Sequence, residues 1–150
     1  MTDLEYAREF FQGDRYAADT TGIVIEEVRE GYARVSLKAG KEHSNASGVV
    51  MGGALFTMAD FAFAAAANYR RPLTVTQESS VIFLRPVRPG NLTAVCRCIK
   101  DGRRTCTFEI EVFDKDQKLS AKVTSIGIHV SEWDKEKPVP GDDPYALVRR

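Results

Sequence analysis

The chain has 150 residues, 43% of them hydrophobic, which suits one domain with a core of its own and argues against disorder. Its 21 basic residues are balanced by 21 acidic ones, so it carries no basic field for nucleic acid. No apolar run reaches the roughly 18 residues of a membrane span, and Met1-Thr2-Asp3-Leu4-Glu5 lacks the basic and apolar regions of a signal peptide.

Residues 3–11 read as a short amphipathic helix with Leu4, Ala7, Phe10 and Phe11 on one face and Gly13 as its stop. Residues 23–30 are rich in β-branched side chains. Glu30-Gly31 offers a turn, and residues 32–38 alternate Ala33, Val35 and Leu37 with Arg34, Ser36 and Lys38, which completes a hairpin. The stretch from His43 to Asn68 begins polar and turn-like and passes through Met51-Gly52-Gly53. It then runs for about four turns of small or apolar helix formers. A helix that is apolar nearly all round is normally buried.

After this helix, Tyr69-Arg70-Arg71-Pro72 breaks the pattern. Residues 74–85 and 92–100 read as strands, separated by a loop carrying Pro86, Pro89 and Gly90. Asp101-Gly102 is a hairpin signal, because both residues tolerate a positive φ. Residues 105–113 alternate cleanly, with Cys106, Phe108, Ile110 and Val112 on one side. The last strand covers about residues 119–130, and its apolar phase switches near Ser125, which predicts a bulge or a change of environment there. Residues 131–150 are charged and Pro-rich and are expected to form a polar tail to a domain spanning 1–130. Consecutive strands after one long helix favour antiparallel pairing, and a helix that water cannot solvate must be wrapped by the sheet. The fold class expected is α+β.

One residue of the central helix contradicts its surroundings. Asp60 is a carboxylate among apolar neighbours, and burying an unpartnered charge costs several kcal/mol. On a helical wheel Gly53, Thr57, Asp60, Ala64 and Asn68 fall in one narrow seam. A carboxylate on such a seam is either a hydrogen-bonded core residue or a group facing a cleft, where tuned acids and bases are found. Gly52-Gly53 at the helix start leaves N–H groups aimed outward, at the positive end of the helix dipole.

Cysteine and histidine offer less. Cys96, Cys98 and Cys106 cannot all pair with one another, and reduced thiols in the cytoplasm are expected. Cys96-x-Cys98 has no usual zinc spacing, and with only His43 and His129 to assist, no metal site is expected. Cys106 reads as core and His129 as a surface or core histidine. Walker A, Gly-x-Gly-x-x-Gly and Gly-x-Ser-x-Gly motifs are all missing.

The pattern His43-x-Asn45-x-x-Gly48, then Gly52-Gly53-x-x-Phe56-x-x-x-Asp60-x-Ala62-Phe63-x-x-x-x-Asn68, resembles the hotdog-fold acyl-CoA thioesterases of the phenylacetic-acid degradation (PaaI-like) type. Val81-x-Phe83-Leu84-Arg85-Pro86-Val87-Arg88-Pro89-Gly90 resembles them too, and the likeness covers roughly residues 15–130. It implies a strongly curved antiparallel sheet wrapped around the long helix, with subunits joined sheet edge to sheet edge into homodimers or dimers of dimers. It also implies acyl-CoA as substrate, with coenzyme A part of that substrate and no separate cofactor. Asp60 would be base or nucleophile, the Gly52 N–H the oxyanion donor, and Asn45 a positioner of water or carboxylate. His43, Gly48, Met51, Gly53 and Thr57 would line the substrate. The family commonly has His-Gly-Gly where this chain has Met51-Gly52-Gly53.

Attack on a thioester needs a base or nucleophile and an oxyanion donor. Gly52 and Asp60 are eight residues apart, about 12 Å along a helix at 1.5 Å per residue. Reacting groups must come within about 3–3.5 Å of their targets, so one carbonyl can hardly reach both groups of one chain. Two antiparallel helices across a two-fold axis would set Gly52 of one chain against Asp60 of the other. Arg85 and Arg88, like Arg70 and Arg71, are either phosphate contacts for coenzyme A or solvated surface arginines. The expected activity is hydrolysis of an aromatic or medium-chain acyl-CoA. The alternatives are a non-catalytic acyl-CoA sensor of the same fold, which Met51 in place of His favours, and a hotdog dehydratase, for which no convincing catalytic histidine is present.

Overall fold

The computed structural model describes residues 1–71 and 73–130. Pro72 and the expected tail, 131–150, lie outside the described residues. Helix α1 (Asp3–Phe11) opens with a capping box. The Thr2 hydroxyl accepts from Glu5 N (3.2 Å), and the Glu5 carboxylate accepts from Thr2 N (2.6 Å). Its inner face is Ala7 and Phe11, with Leu4 partly covered. Phe10, placed on that face by its spacing, is instead 38% exposed and sets its ring against Phe11. A six-residue π-helical turn, Tyr16–Thr21, follows and ends on Gly22 at φ 88°.

Strands β1 (Val24–Arg29) and β2 (Tyr32–Ala39) form the expected hairpin, with Gly31 at φ 71° in its two-residue turn. A loop through Asn45 and Gly48 leads into α2 (Gly52–Asn68). Then come β3 (Thr74–Phe83), β4 (Gly90–Asp101), β5 (Thr105–Phe113) and β6 (Leu119–His129). The six strands make one antiparallel sheet in the order β1-β2-β4-β5-β6-β3. The sheet curves around α2, and every strand packs on that helix. This is the hotdog arrangement. Among the described residues no helix is long and apolar enough to cross a membrane.

Helix α2 buries Leu55, Met58, Ala59, Phe61, Ala62, Phe63 and Ala65–67 against the sheet. The residues it leaves less covered are those of the polar seam: Gly53 and Asp60 are exposed, and Thr57, Ala64 and Asn68 are half-buried. The many alanines let strand backbones come close to the helix, so the wrap can be tight.

Two local expectations are corrected. First, the register of β6 runs unbroken through Ser125, which faces the core opposite Ser79 and Phe108. The extra residues sit elsewhere, at Gln77 on β3 and at Ser120 where β6 begins. The apolar phase switches because Ile126 and Ile128 lie on the outer face while Ser125 and Gly127 point inward. Gly127 has no room for a side chain. A Cβ there would lie 2.6 Å from Thr74 Cγ2 and 2.9 Å from both Cys106 Sγ and Phe63 Cζ. Second, the β4–β5 hairpin forms at Asp101-Gly102, but neither residue takes a positive φ. Its loop spans residues 102–104, wider than a two-residue turn, and Gly102 is required by close approach: its N–H donates to Thr105 O at 2.8 Å, and a Cβ would meet that same oxygen.

Candidate active site

Asp60, on the seam of α2, lines a cavity of about 400 Å³. One wall is α2 itself, with Phe56, Thr57, Asp60, Phe61 and Ala64. The other is the start of the π-helical turn, Tyr16 and Ala17, with Asp14 and Arg15 just before it. Most of this lining is apolar, and desolvation raises the Asp60 carboxyl above its ordinary value. The nearby Thr76 hydroxyl on β3 opposes that rise by favouring the charged form. Asp14 is also raised, first by burial and then by the charge of Asp60. Thr57 shares the cavity but turns its hydroxyl to Gly53 O, 2.8 Å away.

The start of α2 lies about one and a half turns past Thr57, away from Asp60. Met51 is its N-cap and supplies no side-chain cap, so the first N–H groups have no capping side chain to bond. Gly52 sits beneath Phe83: a Cβ there would come 2.9 Å from the ring. Gly53 faces open space, and Met51 is 58% exposed beside it. Gly52 and Asp60 are on one continuous helix, so the separation of about 12 Å stands. The single chain does not bring the two together.

The loop before α2 is held by Asn45. Its Oδ1 accepts from Ser47 N (2.9 Å) and Val49 N (3.3 Å), and its backbone bonds Val49 O and Gly48 N. This Asx turn places Gly48 at φ 77°. His43 is buried, with both ring nitrogens engaged by backbone. Nδ1 accepts from Gly40 N (3.0 Å) and Nε2 donates to Thr21 O (2.7 Å), which assigns the neutral Nε2–H tautomer. Val50 N bonds Val87 O at 2.7 Å, which draws the segment carrying Arg85 and Arg88 beside the helix start. Both arginines are exposed, and Arg85 Nε donates to Leu119 O.

At the far end of α2 a second polar group closes the sheet. Thr74 Oγ1 lies 2.7 Å from His129 Nδ1, and His129 Nε2 lies 2.9 Å from Asp101 Oδ1. Arg71 ion-pairs with the other Asp101 oxygen. Asp101, Cys106 and His129 bring their ligand atoms within 4.8 Å of one another. The Arg71 guanidinium already balances the carboxylate, and both His129 nitrogens have partners, so the group reads as a brace between β3, β4 and β6. Cys106 is buried, with its thiol pushed up by that burial.

The sequence reading named neither Asp14, Arg15 and Tyr16 nor Thr76. Gly13-Asp14-Arg15 looks like an ordinary polar turn, and only the docking of that turn on α2 makes it a wall.

The site thus joins a helix cradled by one antiparallel sheet, a helix start without a side-chain cap and a carboxylate on the open seam. Residues 47–121 match the thioesterase superfamily. A putative esterase of Archaeoglobus fulgidus is 36% identical over 109 residues, covering 72% of this chain and 71% of that one. The acyl-coenzyme A thioesterase PaaI of Escherichia coli K12 is 33% identical over 116 residues, covering 77% and 82%. The solved structure of the E. coli PaaI protein superposes with a TM-score of 0.78 at 27% identity, covering 87% of this chain and 98% of that one. The chain belongs to the hotdog-fold, PaaI-like thioesterases, and it is an enzyme.

Proposed function

We propose that this thioesterase hydrolyses acyl-coenzyme A, with an aromatic or medium-chain acyl group seated in the cavity beside Asp60. The observation that carries the reading is Asp60 itself: a carboxylate on the open seam of an otherwise apolar helix, raised by desolvation. In this reading Asp60 activates water or attacks the thioester carbonyl directly. The Gly52 N–H, at the positive end of the helix dipole, takes the developing oxyanion. Asn45 already uses Oδ1 on its own loop, so its positioning role falls to the amide nitrogen, a donor. Gly48, Met51, Gly53 and Thr57 flank the substrate path, and Arg85 and Arg88 are placed to meet coenzyme A phosphates. His43 acts indirectly, by fixing the loop. The free thiols of Cys96, Cys98 and Cys106 support a cytoplasmic setting.

The site is completed by a second copy of the chain. One outer strand, β1, is partly masked: Arg8 Nε donates to Ile25 O and its guanidinium pairs with Glu26. The other, β3, is ten residues long, carries no Lys or Pro, and leaves Val75, Ile82 and Phe83 exposed. An unprotected edge of that kind invites pairing with another strand. Joining two copies there would let the Gly52 of one face the Asp60 of the other.

The experiment is a panel of acyl-CoAs followed by free-thiol release, run on the wild type and on Asp60→Asn. Release by the wild type and a loss of about 10² or more in Asp60→Asn, with unchanged folding, is the expected result. A folded Asp60→Asn that kept most of its turnover would sink the mechanism. Met51, where the resemblance to the family leads one to expect His, favours one other reading: a sensor that binds acyl-CoA and releases no thiol. Binding without thiol release across the panel would establish that reading instead.

A further inference from the structure

The two glycines at the start of α2 meet different surroundings. A Cβ on Gly53 would meet nothing within 4 Å among the described residues. A Cβ on Gly52 would lie 2.9 Å from Phe83 Cζ, 3.1 Å from Cε1 and 3.4 Å from Cε2, so the tip of the ring rests against the backbone of Gly52 itself. The ring is brought there by β3. Val81 packs against the core, and Phe83, two residues on, faces the same side of the strand. Its backbone is held on β6 opposite Ala121, and Leu84 N donates to Ser120 O at 2.8 Å. The chain entering α2 is pinned as well: Val50 N bonds Val87 O at 2.7 Å, and Met51 N bonds His43 O at 2.8 Å. The helical ladder then starts at Ala54 N, 2.9 Å from Met51 O, which leaves the Gly52 N–H ahead of it.

We propose that Phe83 is the positioning residue of the oxyanion donor: its ring, set on Gly52, holds the N–H of that residue in aim and keeps water off one side of it. The inference rests on the reading of the Gly52 N–H as that donor. A helix start led by Gly52-Gly53 without a side-chain cap has little of its own to fix it. Glycine backbones range widely in φ and ψ, and helix ends fray. A donor that wanders gives up what preorganisation contributes, because the hydrogen bond must be aimed before the charge develops. The ring supplies the missing constraint, from a strand whose own backbone is fixed by β6. Phe83 remains 51% exposed, so the ring covers the donor from one side and leaves the other open to a thioester. Gly52 is then glycine because of Phe83: a methyl group there would keep the N–H but push the ring away.

The test is a double-mutant cycle on Phe83→Ala and Gly52→Ala, read as kcat and KM for thiol release from benzoyl-CoA and octanoyl-CoA, with Asp60→Asn beside it. Phe83→Ala removes the ring. Gly52→Ala keeps the N–H, leaves the edge of β3 intact and displaces the ring. Each should lower kcat about tenfold, short of the roughly 10²–10³ that loss of a whole donor costs. KM should change little, because the donor acts on the transition state. The double variant should match Phe83→Ala to within about twofold, since the methyl group then has no ring to displace. A merely structural ring would lower yield or melting temperature and leave the kcat of the folded protein as it was. A double variant slowed by both factors, about a hundredfold, overturns the inference. So does a folded Phe83→Ala with wild-type kcat, whether or not its KM rises. Every variant must keep the wild-type size, because Phe83 lies on the open edge of the sheet. Should Phe83→Ala lose it, Phe83→Leu, apolar but without the ring, takes its place in the cycle under the same criteria. Turnover retained in Asp60→Asn would sink the functional reading. Turnover lost in Asp60→Asn together with kcat kept in Phe83→Ala would sink only the role of Phe83.

Discussion

Asp60→Asn keeps the shape of the side chain and removes its charge, so its effects on chemistry and on stability should oppose each other. The folded chain holds the Asp60 proton more tightly than the unfolded chain does, because desolvation raises that carboxyl. A raised carboxyl favours the fold at a pH below its unfolded pKa, and that advantage is lost as pH rises through the folded pKa. At neutral pH the wild type therefore carries a cost that Asp60→Asn does not. The variant should melt at a higher temperature near pH 7, and the gain should vanish in acid, where both forms are neutral. Calorimetry at the two pH values checks this, and equal melting temperatures near neutrality would mean that Asp60 is as well solvated as in the unfolded chain. This is the usual tension between a working site and a stable one. Asp60 was legible in the sequence because nothing around it shares its chemistry. Asp14 was not, because its neighbours in the chain are polar and its meaning depends on what packs across from it.

At the scale of elements, α2 was the easiest to read and β6 the hardest. The seam Gly53-Thr57-Asp60-Ala64-Asn68 is a pure consequence of the 3.6-residue period, and it is the face the sheet leaves least covered. In β6 hydrophobicity misled, because its inward positions near the end are Ser125 and Gly127 and its outward ones are Ile126 and Ile128. Volume decides there. Phe63 and Phe108 meet edge to face at 5.2 Å under that part of the sheet, and the space they take leaves no room over Gly127. Gly127→Ala should cost about 1–3 kcal/mol, the usual penalty for overpacking a filled core, because Thr74, Cys106 and Phe63 all stand within 3 Å of the new methyl. Urea denaturation measures it. A change within a few tenths of a kcal/mol would show that the sheet end shifts freely. The loop at Asn45 also escaped the sequence reading in detail: its Asx turn fixes how the chain enters α2, and only the hydrogen bonds reveal it.

At the scale of the whole molecule the order of helices and strands announced the fold, since one long apolar helix among antiparallel strands has few ways to be covered. The proposed site was harder to read, because Gly52 and Asp60 belong to positions that one chain keeps about 12 Å apart. Mixed dimers put this to the test. Asp60→Ala and Gly52→Val homodimers should both be nearly inactive, the second because a branched side chain crowds the helix start beneath Phe83 and disturbs the N–H donor there. Refolded together at random, half the dimers are mixed and each holds one intact pair. Activity should then recover to about a quarter of wild type. Both variants must match the wild type in size for the comparison to hold. Heterodimers confirmed by mass but without recovered activity would place Gly52 and Asp60 in the work of a single chain, or leave Gly52 with a structural role alone.

The open edge of β3 then has a bearing on concentration. The proposed site, formed where two such edges meet, would be governed by mass action as well as by chemistry. Below the dissociation constant of the pair, the number of working sites falls as the square of the amount of chain. Assays in dilute solution would therefore understate the enzyme, and a high concentration of substrate that bridges both chains would pull the pair together. If the proposed two-chain site holds, dosage of the chain itself would control thioester hydrolysis more steeply than in proportion, without any effector or modification.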